Sequence, residues 1–440
     1  MTHARVSAEK PRNTSTQDGV VDIVGIGFGP SNLGLAIALR ERNAIPGNSP
    51  ITSTFVESKP RFAWHPDMLL PGATMQISFL KDLVTQRNAA SDYSFLSFLH
   101  DSGRLPHFIN RQTFFPTRIE FHQYLEWAAD RVDAEVLYDT RGTRIIDHPD
   151  HFEVVLEGAH AGSVRARNVV LAGGLTARLP EGVRASARQF HNHALLSSLA
   201  ALPDTTHDAF VVVGAGQSAA EVAHYLHEQY PGARVHAVFG KYGYTPADDS
   251  PYANRIFDAE AVDDYYGSSA EMKARLLSYH RGTNYSAVDL SLIERLYEIE
   301  YAERVVGARR LFVHGGSALA EARERADGIS VLIENRLTGA VEQVAADAVV
   351  YATGFTSMPL DAILGDLYAP QGPGDARVMR DYRLRTTRPT AGGLYLQGGT
   401  EDTHGLTSSL LSNIAVRSAE IVDSIAAGLH ARERELVRSA

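Results

Sequence analysis

The sequence contains no cysteine among its 440 residues. Disulfide bonds, thiolate metal ligands and cysteine nucleophiles are therefore excluded. The same absence excludes every class of enzyme that relays electrons through a pair of cysteines. Any redox chemistry of this chain must therefore use a bound cofactor.

Long apolar runs and an excess of positive charge are also missing. No run approaches the roughly 20 apolar residues of a membrane span, and residues 1–19 are polar without the apolar centre of a signal peptide. We expect a disordered leader at 1–19 and a cytoplasmic protein. The net charge of -10 argues against a general nucleic-acid or anionic-membrane binder. The length and the 44% hydrophobic content are typical of a globular chain of two to three domains.

A glycine-rich turn lies near the start of this chain, between an apolar strand and a helix. The segment GIGFGPSN contains Gly25, Gly27, Phe28, Gly29 and Pro30. The N–H groups of a helix N-terminus suit a pyrophosphate, and glycine lets the backbone approach it. Proline in place of the usual third glycine is tolerated in the first helical turn. The next strand ends at Glu57, a predicted acceptor for ribose hydroxyls, so this turn predicts a dinucleotide site.

A second strand, turn and helix follow at GAGQSAAE. We expect Gly214, Gly216, Gln217 and Ser218 to contact the second dinucleotide. The strand after this turn ends near Lys241 and has no acid, which favours the 2′-phosphate of NADPH over NADH.

A third segment, ATGF, follows a buried strand and includes Thr353 and Gly354. Together with two dinucleotide turns it indicates FAD at the first turn, reduced by NADPH at the second. We expect an α/β fold with two Rossmann-like dinucleotide-binding domains and a small helical substrate-binding insertion. The predicted bounds are 20–206 and 345–440 for the FAD domain, 207–243 and 287–344 for the NADPH domain, and 244–286 for the insertion.

An ordered set of motifs spans nearly the whole chain, from Val21 to Ser424. They are GIGFGPSN, MQISFLKDL, FPTRIEFHQYLEW, GAGQSAAE, DDSPYANRIFD, TNYSAVD, ATGF and HGLTSSLLSN. In this order they resemble the flavin-dependent N-hydroxylating monooxygenases, the L-ornithine N5- and L-lysine N6-monooxygenases of siderophore and related biosynthesis. One departure is AGGLTARLP at 172–180, which lacks the TG start seen in many relatives.

The resemblance implies a reaction. NADPH reduces FAD, reduced FAD and O2 form a C4a-hydroperoxyflavin, and the unprotonated side-chain amine of the substrate attacks its distal oxygen. NADP+ stays bound and shields the intermediate from water.

The resemblance also implies roles for residues around the substrate. Gln76 corresponds to a residue at the flavin edge, and Lys81 and Asn254 correspond to ligands of the substrate carboxylate. Asn284 corresponds to the asparagine near the substrate amine and the nicotinamide ribose, so we expect Gln76 and Asn284 to be catalytic. Ser412 corresponds to a further residue of the substrate pocket.

Four more residues are predicted to contact FAD. Trp64 and His65 are expected near the flavin, and Arg118 is expected near a phosphate. A final helix is expected to begin at about Leu410, with its N-terminus facing the flavin, where the helix dipole would stabilise the reduced anionic ring.

Alternative functions stay open. Ornithine is favoured because TNYS and HGLTSSLLSN look most like the ornithine enzymes, whereas L-lysine or a diamine such as putrescine or cadaverine would use the same chemistry. A Baeyer–Villiger or sulfur-oxidising flavin monooxygenase would carry a Phe-x-Gly-x-x-x-His stretch between the two glycine turns. Here Phe190 is followed by His191-Asn192-His193, so this pattern is absent. A non-catalytic nucleotide sensor is a third class. We expect no metal site, O2 as co-substrate, and a homotetramer by analogy alone.

Overall fold

The computed structural model of this protein describes residues 19–203, 205–284, 286–368 and 377–439. The predicted leader therefore lies outside the described residues, except for Gly19. Within these ranges the strands are β1 Val20–Ile26, β2 Ser53–Val56, β3 Glu135–Leu137, β4 Thr140–Asp147, β5 Phe152–Gly158, β6 Gly162–Leu171, β7 Leu175–Ala177, β8 Gln189–His191, β9 Ala209–Val213, β10 Arg234–Val238, β11 Leu311–His314, β12 Ser317–Glu324, β13 Ile329–Asn335, β14 Val341–Ala346, β15 Ala348–Tyr351, β16 Phe355–Ser357 and β17 Leu394–Leu396.

The helices follow the same chain order. They are α1 Pro30–Asn43, α2 Phe95–Asp101, α3 Leu105–Asn110, α4 Arg118–Arg131, α5 Leu195–Ala200, α6 Gln217–Gln229, α7 Ala261–Gly267, α8 Ala270–Asn284, α9 Leu290–Val306, α10 Leu360–Leu364, α11 Glu401–His404 and α12 Ile414–Ser439. None of these helices combines the length and apolar character needed to cross a membrane.

The first sheet is built around β1, whose residues from Ile23 onward are buried. Its strand order is β3-β2-β1-β6-β5-β4, and β17 pairs with the carboxyl-terminal half of β6. The strands β3, β2, β1, β6 and β17 are parallel, whereas β5 and β4 continue antiparallel. Helices α1 and α12 pack on each other beside this sheet. The carboxyl-terminal strand and helix therefore return to the first unit, as the sequence predicts.

The second sheet is parallel, with the strand order β11-β10-β9-β15-β8. Helices α6 and α9 pack on one face, and the antiparallel sheet of β12, β13 and β14 shares a core with the other. The predicted boundaries at 206 and 345 assign β8 and β15 to the first unit, and that assignment is wrong. Both strands pair in the second sheet, where the fully buried β15 is covered on both faces, as a parallel strand requires.

Two connections define the region between the sheets. The chain leaves β6 through β7 and leaves β15 through β16, and these short strands pair antiparallel. The predicted insertion contains α7 and α8, which confirms its helical character. The last helix was predicted to begin at about Leu410. Leu410 is the extended N-cap, with φ -91° and ψ 154°, of a 3-10 turn at Leu411–Asn413 that leads directly into α12 at Ile414.

Candidate active site

A cavity of about 1540 Å³ lies where the carboxyl ends of the first sheet face α9 and the helical insertion. Crevices at the carboxyl ends of parallel strands are the usual ligand sites of open α/β sheets. Most residues predicted for FAD and substrate line this one cavity: Gly29, Pro30, Glu57, Trp64, His65, Gln76, Lys81, Arg118, Asn254, Leu410 and Ser412, together with Ser218 from the second turn. The fold therefore brings together residues from four distant segments.

The first glycine turn has the geometry of a phosphate cradle. Gly27 has φ +84°, and a Cβ there would lie 2.4 Å from the carbonyl oxygen of Ala172. Gly29 caps α1 without a side-chain hydrogen bond, and the first turn of this helix has no acidic residue. A Cβ on Gly29 would meet no atom within 4 Å. The open space beside an uncapped helix N-terminus fits a pyrophosphate.

Gly25, Gly27 and Phe28 do not themselves line the cavity. A Cβ on Gly25 would lie 2.4 Å from the ring of Phe55 on the neighbouring strand β2 and 2.9 Å from the side-chain amide of Asn32 on α1, so the packing at this position requires glycine. Phe28 is 1% exposed, and its ring packs against Phe55 and Phe62. A direct cofactor contact by any of these residues stays a prediction.

Glu57 is buried behind the same turn. Its Oε2 accepts the N–H of Phe28 at 2.8 Å, and its Oε1 accepts the N–H of Lys59 at 2.9 Å. The carboxylate thus ties the turn to the end of β2. Oε1 also accepts the Ser58 hydroxyl at 3.3 Å, whereas Oε2 keeps a second lone pair, so the predicted contact with a ribose hydroxyl is compatible with this geometry.

Lys81 presents a cation to the cavity. The carboxylate of its neighbour Asp82 accepts the N–H groups of Val84, Thr85 and Phe95. It therefore caps the local turn and does not pair with Lys81. Among the described residues no hydrogen bond or ion pair involves Lys81 Nζ, although the side chain is half-buried. A half-buried ammonium without a partner fits a site for an anionic ligand.

Two neutral side chains complete the described part of the substrate site. Asn254 Nδ2 donates to the carbonyl of Asp249 at 2.7 Å, which leaves Oδ1 and one amide hydrogen for a ligand. Ser412 is 2% exposed, and its Oγ has no partner in the described part of the chain. A buried hydroxyl without a partner is costly, so a ligand in this cavity would satisfy it. The side chain of Asn284 lies outside what the structure describes, and its role stays a prediction.

Arg118 lines the cavity, but its guanidinium is engaged elsewhere. It forms a bidentate ion pair with Glu221 of α6, with both N–O distances at 2.8 Å. The same carboxylate accepts Gln217 Nε2 at 3.0 Å, and Gln217 Nε2 also donates to Asp289 Oδ2 at 3.1 Å. Asp289 Oδ1 in turn accepts Gln76 Nε2 at 3.3 Å. This network joins three predicted residues through Glu221 and Asp289, which sequence reasoning left without a role although both lie in the quoted motifs.

Two histidines, His65 and His193, also line the cavity. His65 has φ +45°, and its Nδ1 lies 3.4 Å from Nδ1 of His193. Burial, followed by the charge of His193, lowers the pKa of His65 to about 3. His191 Nε2 contacts the carbonyl oxygen of Gly354 at 2.9 Å. Both histidines of the His191-Asn192-His193 segment therefore make polar contacts within the chain.

A second cavity, of about 980 Å³, lies beside the second glycine turn. Gly214 has φ +146°, and a Cβ there would lie 2.4 Å from the carbonyl oxygen of Ala352. Lys241 lines the cavity, and its Nζ donates to Thr245 Oγ1 and to the Ser286 carbonyl. Arg336 lines it as well, from the turn between β13 and β14. Nothing in the local sequence marked Arg336, because only the pairing of the three-stranded sheet brings that turn near Lys241.

Other predicted NADPH and flavin residues lie around rather than in the two cavities. Gly216 caps α6 without a side-chain bond, and Gln217 is the first residue of that helix. Thr353 and Gly354 belong to the connection between the sheets, where their carbonyl oxygens accept hydrogen bonds from Arg178. Their predicted cofactor contacts stay predictions.

Comparison with known proteins identifies the family. Residues 19–357 match the family described as L-lysine 6-monooxygenase/L-ornithine 5-monooxygenase. An L-ornithine N(5)-monooxygenase of Burkholderia cepacia is 39% identical over 410 residues, covering 88% of this chain and 90% of that protein.

Two solved structures show the same relation. The Kutzneria sp. 744 ornithine N-hydroxylase, with reduced FAD, NADP+ and L-ornithine, superimposes with a TM-score of 0.87 at 44% identity, covering 92% of this chain and 99% of that one. The ornithine hydroxylase of Pseudomonas aeruginosa has a TM-score of 0.86 at 34% identity, with 93% and 100% covered. The chain therefore belongs to the L-lysine 6-monooxygenase/L-ornithine 5-monooxygenase family.

Proposed function

We propose that this protein uses FAD, NADPH and O2 to hydroxylate the side-chain amine of L-ornithine at N5. The observation that carries the proposal is the position of Lys81. Its ammonium has no partner among the described residues and lines the same cavity as the phosphate cradle of Gly29. A cavity of about 1540 Å³ exceeds the roughly 300–1,000 Å³ of ordinary ligand sites, so flavin and amino acid can share it.

The residues of the first cavity fit FAD. Gly27 and Gly29 would let the pyrophosphate reach the start of α1, and Glu57 would accept the ribose hydroxyls. Bound FAD, once reduced, supplies the activated oxygen for the reaction. Gly214, Lys241 and Arg336 would hold NADPH in the second cavity, where two cations suit its 2′-phosphate.

The chain's own residues bind and orient the substrate. Lys81 attracts the carboxylate of an amino acid, and Asn254 supplies a neutral donor beside it. If the substrate carboxylate is held at a fixed place, the number of methylenes in the substrate side chain determines how far its amine extends into the cavity. Neutral groups around the far end avoid protonating the amine that must react, and the buried position of Ser412 excludes water there.

Ornithine is proposed over lysine and diamines because the relatives above are ornithine enzymes. One methylene changes binding by only about 1–3 kcal/mol, so the choice needs a direct measurement. We would incubate the purified protein with FAD, NADPH, O2 and an equimolar mixture of ornithine, lysine and putrescine, and analyse the products by mass spectrometry. The expected product is ornithine carrying one additional oxygen. Preferential oxidation of lysine or putrescine would contradict the proposed substrate.

Two further expectations belong with this function. A homotetramer and a cytoplasmic location stay predictions. Light scattering on the purified protein checks the first, and fractionation of the producing cell checks the second.

A further inference from the structure

Asp289 occupies a helix start without acting as a cap. It is the N-cap residue of α9, where an aspartate usually accepts an N–H of the first turn and stabilises the helix. Here its side chain makes no capping hydrogen bond. Its two oxygens instead accept two glutamine amides, from Gln76 at 3.3 Å and from Gln217 at 3.1 Å. The carboxylate thus contacts both the first cavity and the start of the second dinucleotide unit.

The side-chain amide of Gln217 cannot rotate by 180° without losing hydrogen bonds. Its Nε2 donates to Glu221 at 3.0 Å as well as to Asp289, and its Oε1 accepts the backbone N–H of Asp289 at 2.8 Å. In a reversed amide the donor Nε2 would face the donor N–H of Asp289, and the acceptor Oε1 would face the acceptor oxygens of Glu221. Glu221 is itself held by the bidentate pair with Arg118. Gln217 is therefore a fixed donor toward Asp289.

The Gln76 amide, in contrast, is oriented by one contact of its side chain among the described residues, the bond from Nε2 to Asp289 Oδ1. Gln76 is exposed to the cavity that it lines. Because Asp289 can only accept when ionised, it selects the rotamer in which Nε2 points to it. The other end of the amide, the acceptor Oε1, is then left for a donor bound in the cavity.

We propose that Asp289 is a positioning residue for hydroxylation, which keeps the Gln76 amide oriented with its oxygen available to bound cofactor or substrate. This inference rests on the proposed function for the identity of the reaction. The Asp289 carboxylate sets the orientation of the Gln76 amide and does not itself contact the reacting atoms. It assigns a role to the Asp289 of TNYSAVD that the sequence left open.

Replacing Asp289 with asparagine tests the orientation directly. Asparagine offers one oxygen and one NH2 group where aspartate offers two oxygens. Because Gln217 is fixed, the Asp289→Asn oxygen must serve Gln217, and the NH2 group then faces Gln76. The Gln76 amide relieves this clash by turning over, which places its NH2 group toward the cavity in place of the oxygen.

A second substitution should reverse the effect. In the double variant Gln76→Glu/Asp289→Asn, the new glutamate accepts from the new NH2 group and again offers an oxygen to the cavity. The net charge of the pair is unchanged. Asp361→Asn is the matched control, because Asp361 is an exposed aspartate in the first turn of α10, remote from both cavities.

The readouts are the hydroxylamine formed per NADPH oxidised, the rate of anaerobic flavin reduction by NADPH, and the melting temperature of the FAD-free protein. For Asp289→Asn we expect the first to fall about tenfold, as for one misplaced hydrogen bond, while flavin reduction changes less than twofold. Asp289→Asn should also melt at a lower temperature in its FAD-free form, because a hydrogen bond between two neutral amides replaces one to a carboxylate. The double variant restores a bond to a carboxylate and should recover most of the coupling and of the melting temperature, and Asp361→Asn should match the wild type.

Three results would overturn the proposal. They are unchanged coupling in Asp289→Asn, an equal fall in flavin reduction, and failure of Gln76→Glu/Asp289→Asn to recover. If Asp289→Asn does not retain FAD, recovery of the melting temperature in the FAD-free double variant still decides whether the two side chains interact. Failure of the proposed function would appear differently, as absence of hydroxylamine in the wild type itself.

Discussion

Replacing Lys81 with methionine should weaken the binding of an amino-acid substrate and leave the flavin chemistry intact. Methionine is similar in length and keeps the apolar contacts of the stem. In the free protein the ammonium has no partner within the described residues, since Asp82 is committed to three backbone N–H groups. Its removal therefore breaks no bond of the fold, and the FAD-free protein should melt no lower than the wild type.

The magnitude follows from the position of Lys81. Hydrogen bonds to charged groups contribute about 1.5–3 kcal/mol, and half-burial places this one near the lower end, at about 1.5–2 kcal/mol. At 1.36 kcal/mol for each factor of ten, the KM for ornithine should rise about 10- to 30-fold. Putrescine lacks the carboxylate, so its KM should change less than about twofold.

The assay is steady-state hydroxylamine formation with ornithine and with putrescine, beside stopped-flow reduction of the flavin by NADPH. Lys81→Arg is the companion variant, because it keeps the charge and should lose less affinity for ornithine. An equal rise of KM for both amines would refute the carboxylate contact. Slow flavin reduction in Lys81→Met would refute the placement of Lys81 at the substrate end.

Four other predictions concern the cofactor sites and the fold. Gly29→Ala should leave the melting temperature of the FAD-free protein unchanged but weaken FAD binding at least tenfold in a fluorescence titration, because the added Cβ enters open space that the phosphate needs. Gly27→Ala should also destabilise the fold, by about 1–3 kcal/mol, because φ is +84° there. Arg336→Ala should raise the KM for NADPH about tenfold and leave that for NADH unchanged, because only NADPH carries the 2′-phosphate. His404, whose pKa burial lowers to about 4, stays neutral in the folded protein, while the unfolded chain takes up a proton below pH 6.5. The free energy of unfolding should therefore fall by about 1–2 kcal/mol between pH 6.5 and pH 5, and His404→Asn should lack this part of the slope in urea titrations.

Specific results would contradict the predictions for Gly29, Arg336 and His404. A lower melting temperature for FAD-free Gly29→Ala would mean that its Cβ meets the fold rather than the ligand. If Arg336→Ala lost affinity for NADH and NADPH equally, the proposed contact between Arg336 and the 2′-phosphate would be contradicted. An identical pH slope in His404→Asn would mean that this histidine is protonated in the native state.

The local pattern of the sequence was sufficient for the repeated nucleotide units. Short apolar runs followed by glycine turns and helices predicted β1 with α1 and β9 with α6, because strand, turn and helix here are local preferences of adjacent residues. The helical insertion was predicted for the same local reason.

Strand partners were not predictable in the same way. The run that forms β15 is apolar throughout, so it would be buried equally well in either sheet, and its pairing with β9 and β8 depends on the path of the whole chain.

Hydrogen bonds and ion pairs between side chains distant in sequence were also not predictable. Lys81 lines the cavity, and its contact with a substrate carboxylate stays a prediction, whereas Arg118 was expected near a phosphate and pairs with Glu221, 103 positions away. Asp289 lies 213 positions from Gln76. The sequence by itself determined the family and the two nucleotide turns, because these depend on short motifs. The tertiary structure decided which residues hydrogen-bond to one another, because an ion pair or an amide orientation depends on the distance between side chains that only the folded chain brings together.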